Sequence, residues 1–191
     1  MTDATPLTGE HLALDLVNTR TADGDVLATP QQLRDWLALQ GARITELTEL
    51  TGTQAADLSE ADLLAVRSVR DDAAAVLRAL LDGHEPPASA LAGLTDAQHA
   101  APAVTAPAWD GSAVVTTRRR AGGPGARLAA ALAEAAAELA ADPAVARLRE
   151  CEAGDCVLLF VPAHPRRRWC SAARCGNRVR VARHYRRRRE G

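Results

Sequence analysis

Apolar positions recur three and four residues apart along two well-marked stretches of the chain, the spacing of a helix with one buried face. In "TPQQLRDWLALQG", Thr29 is placed to cap a helix, Pro30 suits its first position, Gln32 follows three residues after the cap, and Gly41 supplies the stop. Leu33, Trp36, Leu37 and Leu39 are expected to face inward. A loop through Gly52 then leads to the longest periodic segment, "LSEADLLAVRSVRDDAAAVLRALLDG". Ser59 caps it, Asp62 occupies the capping-box position, Gly83 ends it, and Leu63, Val66, Val69, Leu77, Leu80 and Leu81 form its apolar stripe. Pro86 and Pro87 break the chain before another short helix.

The pattern changes in "AVTAPAWDGSAVVTTRRR", where β-branched residues flank Asp110-Gly111 and predict an antiparallel hairpin with a type I′ turn on that dipeptide. "GGPG" punctuates, and "ARLAAALAEAAAELAA" predicts an alanine-rich helix ending near Asp142-Pro143, with Pro143 opening a short new helix. The opening "HLALDLVNTR" fits a strand and a first helical turn equally well. Asp15, Asn18 and Thr19 interrupt its apolar run. Either they form hydrogen bonds that fix a buried turn, the favoured reading because buried polar groups need partners, or they line a small-molecule pocket with an arginine such as Arg67 or Arg70.

These elements predict a mostly helical α+β protein: an N-terminal helical domain containing a β-hairpin, over residues 1–142, and a smaller C-terminal unit over 143–191. The 191 residues are 47% hydrophobic, but three Trp, one Tyr and one Phe are the only aromatics, so the interior must rest on Ala, Leu and Val. No apolar run approaches the roughly 18 residues that span a bilayer, and the acidic start lacks the basic residues of a signal peptide, so a cytoplasmic protein without a membrane partner is expected. The net charge of -1 conceals a polarity. Residues 1–146 hold 10 arginines and 20 acids, a balance of -10, whereas residues 147–191 hold 13 arginines and 4 acids, a balance of +9. All 23 basic residues are arginine, which with the abundant alanine suggests a GC-rich bacterial coding bias. That bias acts on both parts, so the polarity points to a polyanionic partner for the second.

All four cysteines lie in the basic part. Cys151 and Cys156 have four residues between them, thirteen follow, and Cys170 and Cys175 again have four between them. Two like-spaced pairs a hairpin's length apart suit one tetrahedral four-thiolate zinc site, with disulfides, free thiols or substitution by His164 or His184 as the alternatives. "VLLFV", "PAHP" and "RRRWC" are expected to make a β-hairpin between the pairs, and "GNRVRVARHYRRRR" a terminal helix, together a treble-clef-like finger. Four protein ligands leave no open coordination position, so the zinc would be structural.

"RRRWCSAARCGNRVRVARHYRRR" resembles the CGNR zinc finger, named for the tetrapeptide present here as Cys175, Gly176, Asn177 and Arg178; Trp169, the first cysteine pair, Arg183 and Tyr185 also fit. "LALDLVNT", "TPQQLRDWL" and the long arginine-bearing helix resemble the ABATE domain that usually precedes such a finger. The chain departs from the pattern at "FVPAHP", and Arg180 stands where a lysine is common. The resemblance implies a bacterial, stress-responsive transcription regulator with a zinc-dependent nucleic-acid-binding end.

On the terminal helix Val181, Ala182 and Tyr185 are expected to pack on the finger with Trp169, and Arg178 to bond within it. Arg180, Arg183 and Arg187 would form a basic stripe, which with Arg166, Arg167, Arg168 and Arg174 gives the candidate nucleic-acid contacts. With Tyr185 as essentially the one exposed aromatic, duplex DNA is favoured over RNA. A zinc-finger module that binds RNA or protein is the alternative, and a small-molecule effector at the N-terminal domain and a homodimer stay open. Scattered His11, His84 and His99, and the absence of G-x-S-x-G, Walker and H-E-x-x-H patterns, argue against an enzyme.

Overall fold

The computed structural model of the protein describes residues 7–44 and 58–190. The loop expected through Gly52 lies outside the described residues. The order begins with α1 (Leu12–Val17), the two-residue strands β1 (Arg20–Thr21) and β2 (Gly24–Asp25), and α2 (Pro30–Gln40). It continues with α3 (Glu60–Leu81), α4 (Ala88–Ala100), a hairpin of β3 (Ala103–Trp109) and β4 (Val114–Arg120), and α5 (Pro124–Ala141). A 3-10 turn at Pro143–Arg147, β5 (Arg149–Glu150), β6 (Leu159–Phe160), a π-helical turn at Ala172–Gly176 and α6 (Asn177–Glu190) complete it. Mostly helical with small antiparallel hairpins, this is the expected architecture.

Both expected capping boxes form. Thr29 accepts from the Gln32 amide while the Gln32 side chain accepts from Thr29, and Ser59 and Asp62 do the same at the start of α3. Leu33, Trp36 and Leu37 are buried as expected, but Leu39 is 53% exposed. It lies two residues beyond Leu37, about 200° around a helix, and Gln40 takes the inward position of the last turn instead. Leu63, Val66, Val69 and Leu77 of α3 are buried, with Leu80 and Leu81 half-buried against the same core.

Alanine sets the spacing of the helical layer. Six alanines of α5, residues 129, 130, 131, 133, 135 and 136, are buried beside Leu128, Leu132 and Leu139, so α3 and α4 approach its backbone closely. The tightest approach is at Gly125. A Cβ there would fall 1.9 Å from Oδ1 of Asp62, the capping-box partner of Ser59 in α3. Among the described residues no helix is long and apolar enough to cross a membrane.

One open local reading is decided and one expectation is corrected. "LALDLV" is a helix, and its own Asp15 carboxylate ties down the segment before it by accepting from the amides of Gly9 at 2.9 Å and Glu10 at 3.1 Å. The hairpin between β3 and β4 exists, but Trp109 pairs with Val114 and the Asp110 amide donates to the Ala113 carbonyl, which centres the turn on Gly111-Ser112. Asp110 acts through its side chain, accepting from the amides of Ser112 and Ala113 at 2.8 and 2.9 Å, and only Gly111 takes a positive φ, 105°.

The two halves of the chain share one core. Leu148 and Leu159, from the cysteine-bearing part, are buried in the same cluster as Leu14, Leu16, Leu33 and Leu63. Asn18, buried at the end of α1, locks this junction: its amide donates to the Leu159 carbonyl and its oxygen accepts from the Leu159 amide, both at 2.8 Å. A carboxamide bonded this way replaces one rung of a β-ladder. Removing it leaves a buried N–H and C=O unpaired, so Asn18→Ala is expected to lower the unfolding free energy in urea by about 3 kcal/mol. A loss below about 0.5 kcal/mol would show that water replaces the amide without cost.

Candidate functional site

The four cysteines are brought together by three local structures. Cys151 leaves β5, Cys156 closes the knuckle through its amide bond to the Ala153 carbonyl, and Cys170 and Cys175 bracket the turn that leads into α6. Ser171 starts that turn by accepting from the Arg174 amide at 3.3 Å. All four sulfurs lie within 4.8 Å of one another. The distances from Cys170 Sγ to Cys156 Sγ and Cys175 Sγ are 3.9 and 3.6 Å. Four thiolates at a zinc–sulfur distance of about 2.3 Å in a tetrahedron stand about 3.8 Å apart, so the residues fit one structural zinc ion.

The surroundings suit thiolates. The Cys170 amide points at Cys151 Sγ at 3.4 Å, and the Arg178 guanidinium reaches Cys175 Sγ at 3.4 Å while pairing with Asp155 of the knuckle at 2.7 Å. Arg178 thus bonds within the finger, as expected, through a thiol and a carboxylate. The hydrogen bond from Cys170 pulls the Cys156 thiol down to about 5, and the same bond pushes the Cys170 thiol up. Burial raises the Cys175 thiol to about 11. So many sulfurs in contact cannot all ionise unaided; a divalent cation at their centre removes that conflict.

The expected hairpin between the cysteine pairs is replaced by another pairing. β6 pairs with β5, the strand entering the first cysteine, through Arg149 with Phe160 and Glu150 with Leu159. "RRRWC" forms no strand; it lies alongside through the Glu152 amide bond to the Arg168 carbonyl. Proline at 162 and 165 removes two amide donors from the segment that would have returned as a strand.

The candidate arginines fall into different environments. Arg167 is turned inward: it donates to the carbonyls of Trp169 and Cys170, pairs with Glu10, and lies 4.5 Å over the Phe160 ring. Arg168 is exposed and pairs with Glu152. Its hydrogen bond, with the charges of Arg168, Arg149 and Arg183, holds the Glu152 carboxyl below the usual range, so Arg168 and Arg183 share a flank. Arg180 folds back onto Asn177 and the Ala172 carbonyl. Arg166, Arg174, Arg183 and Arg187 are exposed.

The apolar face of α6 is not where periodicity alone put it. Val181, Ala182 and Tyr185 are exposed, Val181 by 53% and Tyr185 by 63%, and it is Val179 that packs on the cluster formed by the cysteines, Phe160, Trp169 and Leu7. The finger is too short to cover more than the first turn of the helix, so the rest projects. Of the three polar residues near the N-terminus, Asp15 is taken by two amides and Arg43, Thr19 bonds to the Leu16 carbonyl and Arg70, and Asn18 holds the finger. Each of them fixes buried structure through partners of its own. Arg67 and Arg70 both pair with Asp25. The links from Asn18 to Leu159 and from Glu10 to Arg167 join residues 141 and 157 positions apart, and the polar Asn18 in an apolar run is the one local signal of the first.

Residues 10–143 match the family model ABATE, described as "Putative stress-induced transcription regulator", and residues 147–188 match the CGNR zinc finger. No curated protein matches the chain. The matched families and the sulfur cluster agree on a regulator-type domain followed by a zinc-binding end.

The full chain is expected to hold one zinc per molecule by elemental analysis, and Cys175→Ser to weaken zinc retention by roughly 100-fold or more in a chelator competition. Chelation should raise hydrogen exchange across residues 147–190 before α3 and α5 respond, since metal binding supplies folding free energy on the order of 10 kcal/mol to such a unit. Unchanged exchange on zinc removal would rule out a structural metal.

Proposed function

We propose, given that the chain belongs to the ABATE family and carries a CGNR zinc finger behind that domain, that it is a zinc-dependent regulator whose projecting helix α6 binds the phosphates of duplex DNA. The observation that carries this reading is the charge polarity: +9 over residues 147–191 against -10 over residues 1–146, with seven of the thirteen arginines of the positive part on a helix that follows the four sulfurs. The contacts are Arg166, Arg168, Arg174, Arg180, Arg183 and Arg187, with Arg167 serving to hold the finger. Exposed Val181 and Tyr185 lie between these arginines along the helix and offer apolar contact to base edges. The acidic domain is repelled by the same polyanion, which keeps the basic surface as the one that docks.

The metal's part in this reading is non-catalytic, because four protein sulfurs saturate zinc and leave no place for a substrate on it. It divides the chain into a sensing or dimerising unit over 1–142 and a binding unit over 143–191, at work in the cytoplasm. An RNA or protein partner for the finger is the competing reading, and one assay separates them.

Binding of the zinc-loaded chain to duplex DNA, measured against salt, should give a log–log slope of about -5 if five or six arginines neutralise phosphates. Arg183→Gln should reduce the slope by about 1, and a chelator should abolish binding. Tighter binding to RNA at every salt concentration would replace duplex DNA with RNA as the partner. Salt-insensitive or zinc-independent binding would sink the nucleic-acid reading.

A further inference from the structure

A cavity of about 370 Å³ lies where α1, the middle of α3 and the zinc knuckle meet. Val17, Ala74 and Val157 contribute apolar surface to it, and Arg20, Arg70 and Arg78 are its cationic groups. Asp71 is the one acid among the lining residues. Three guanidiniums line it, and their partners Asp25, Asp71 and Glu150 balance the formal charge, so what the cavity offers is hydrogen-bond donor capacity and not net charge.

The three arginines are not equally committed. Arg70 is 1% exposed and held by both oxygens of Asp25, at 2.6 and 2.9 Å. Burial raises the Asp25 carboxyl, but hydrogen bonds from Arg70 and the Leu27 amide, with the charges of Arg70 and Arg67, bring it below the ordinary value, so this pair stays ionised and fixed. The other contacts are long. Arg20 meets Asp71 at 3.4 Å, and Arg78 meets Glu150 at 3.7 Å and the Val157 carbonyl at 3.3 Å. A guanidinium has five N–H donors, and among the described residues Arg20 uses one here and Arg78 two, so unused donors remain on both. A carboxylate is the acceptor that such forks match, and the apolar lining suits the body attached to it.

We propose that this cavity is a binding site for a small organic carboxylate with an apolar body, held by Arg20 and Arg78 over a floor of Val17, Ala74 and Val157. The site lies against the metal centre's scaffold. Arg78 contacts the residue before Cys151 and the residue after Cys156, so an acid that engages Arg78 competes with Glu150 and Val157 for the same donors. Occupancy of the cavity therefore acts on the knuckle without touching a sulfur.

Calorimetric titration of the zinc-loaded full chain, with no nucleic acid present, tests this separately from the regulator reading. Benzoate and octanoate are the probes, with benzamide as the neutral analogue and inorganic phosphate as the anion lacking an apolar body. At least one carboxylate should bind saturably at one site, with benzamide and phosphate about ten-fold weaker or more. Arg20→Gln and Arg78→Gln should each weaken that binding about ten-fold. Zinc content and the melting curve confirm that each variant is folded, and Arg20, outside the finger, keeps the test decisive if Arg78→Gln loses metal. Absence of saturable binding by both carboxylates, equal binding of benzamide or phosphate, or unchanged affinity in a folded Arg20→Gln would overturn the assignment.

Discussion

Four sulfur atoms within 4.8 Å of one another are the constraint on which the C-terminal quarter of the molecule depends. Thiols packed that closely contribute little cohesion, and thiolates packed that closely repel; only a cation at their centre turns proximity into stability. The buried set around them is small: beyond the cysteines it holds Phe160, Leu158 and Ala153, with Trp169 and Val179 half-covered. A core of that size cannot order about 40 residues by itself. The knuckle, the crossing segment and the first turn of α6 are all positioned by sulfur, and the arginines inherit their positions from them.

The cationic shell follows from the same constraint. A zinc ion with four thiolates would carry two net negative charges, and the groups that meet the sulfurs include a backbone amide from Cys170 and the guanidinium of Arg178. Arg167, close by, donates to two carbonyls of the second cysteine turn and reaches across to Glu10. Not all of the arginine in this region faces a partner. Some of it balances the metal site, and the exposed remainder is what gives the helix its field.

The parts of the structure legible from the sequence are those whose determinants lie close together in the chain. Thr29 with Gln32 and Ser59 with Asp62 are three residues apart, and both capping boxes form. The cysteine pairs announce themselves by repeated spacing, and the cluster they predict is present. Periodicity failed where the partner surface ran out: Tyr185 and Val181 sit at regular spacing, but the finger ends before reaching them. It also failed at Leu39, displaced by Gln40 at the end of its helix. Strand pairing in the finger could not be read because β5 is two residues long and its partner is chosen by the cysteines beside it. Asn18 and Leu159 are 141 positions apart, and no local pattern links an asparagine to the one backbone rung it completes.

That rung bears on what counts as a separable part of this molecule. Sequence composition changes sharply near Asp142, which invites treating the two sides as independent modules. Leu148 and Leu159 nevertheless belong to the core of the first, and Asn18 of the first supplies hydrogen bonds that the second lacks. A chain cut between them would leave apolar surface and two backbone groups bare on one fragment and an unpaired amide on the other. The electrostatic frontier and the mechanical one therefore do not coincide, and the metal-held end is oriented by the acidic domain rather than tethered to it.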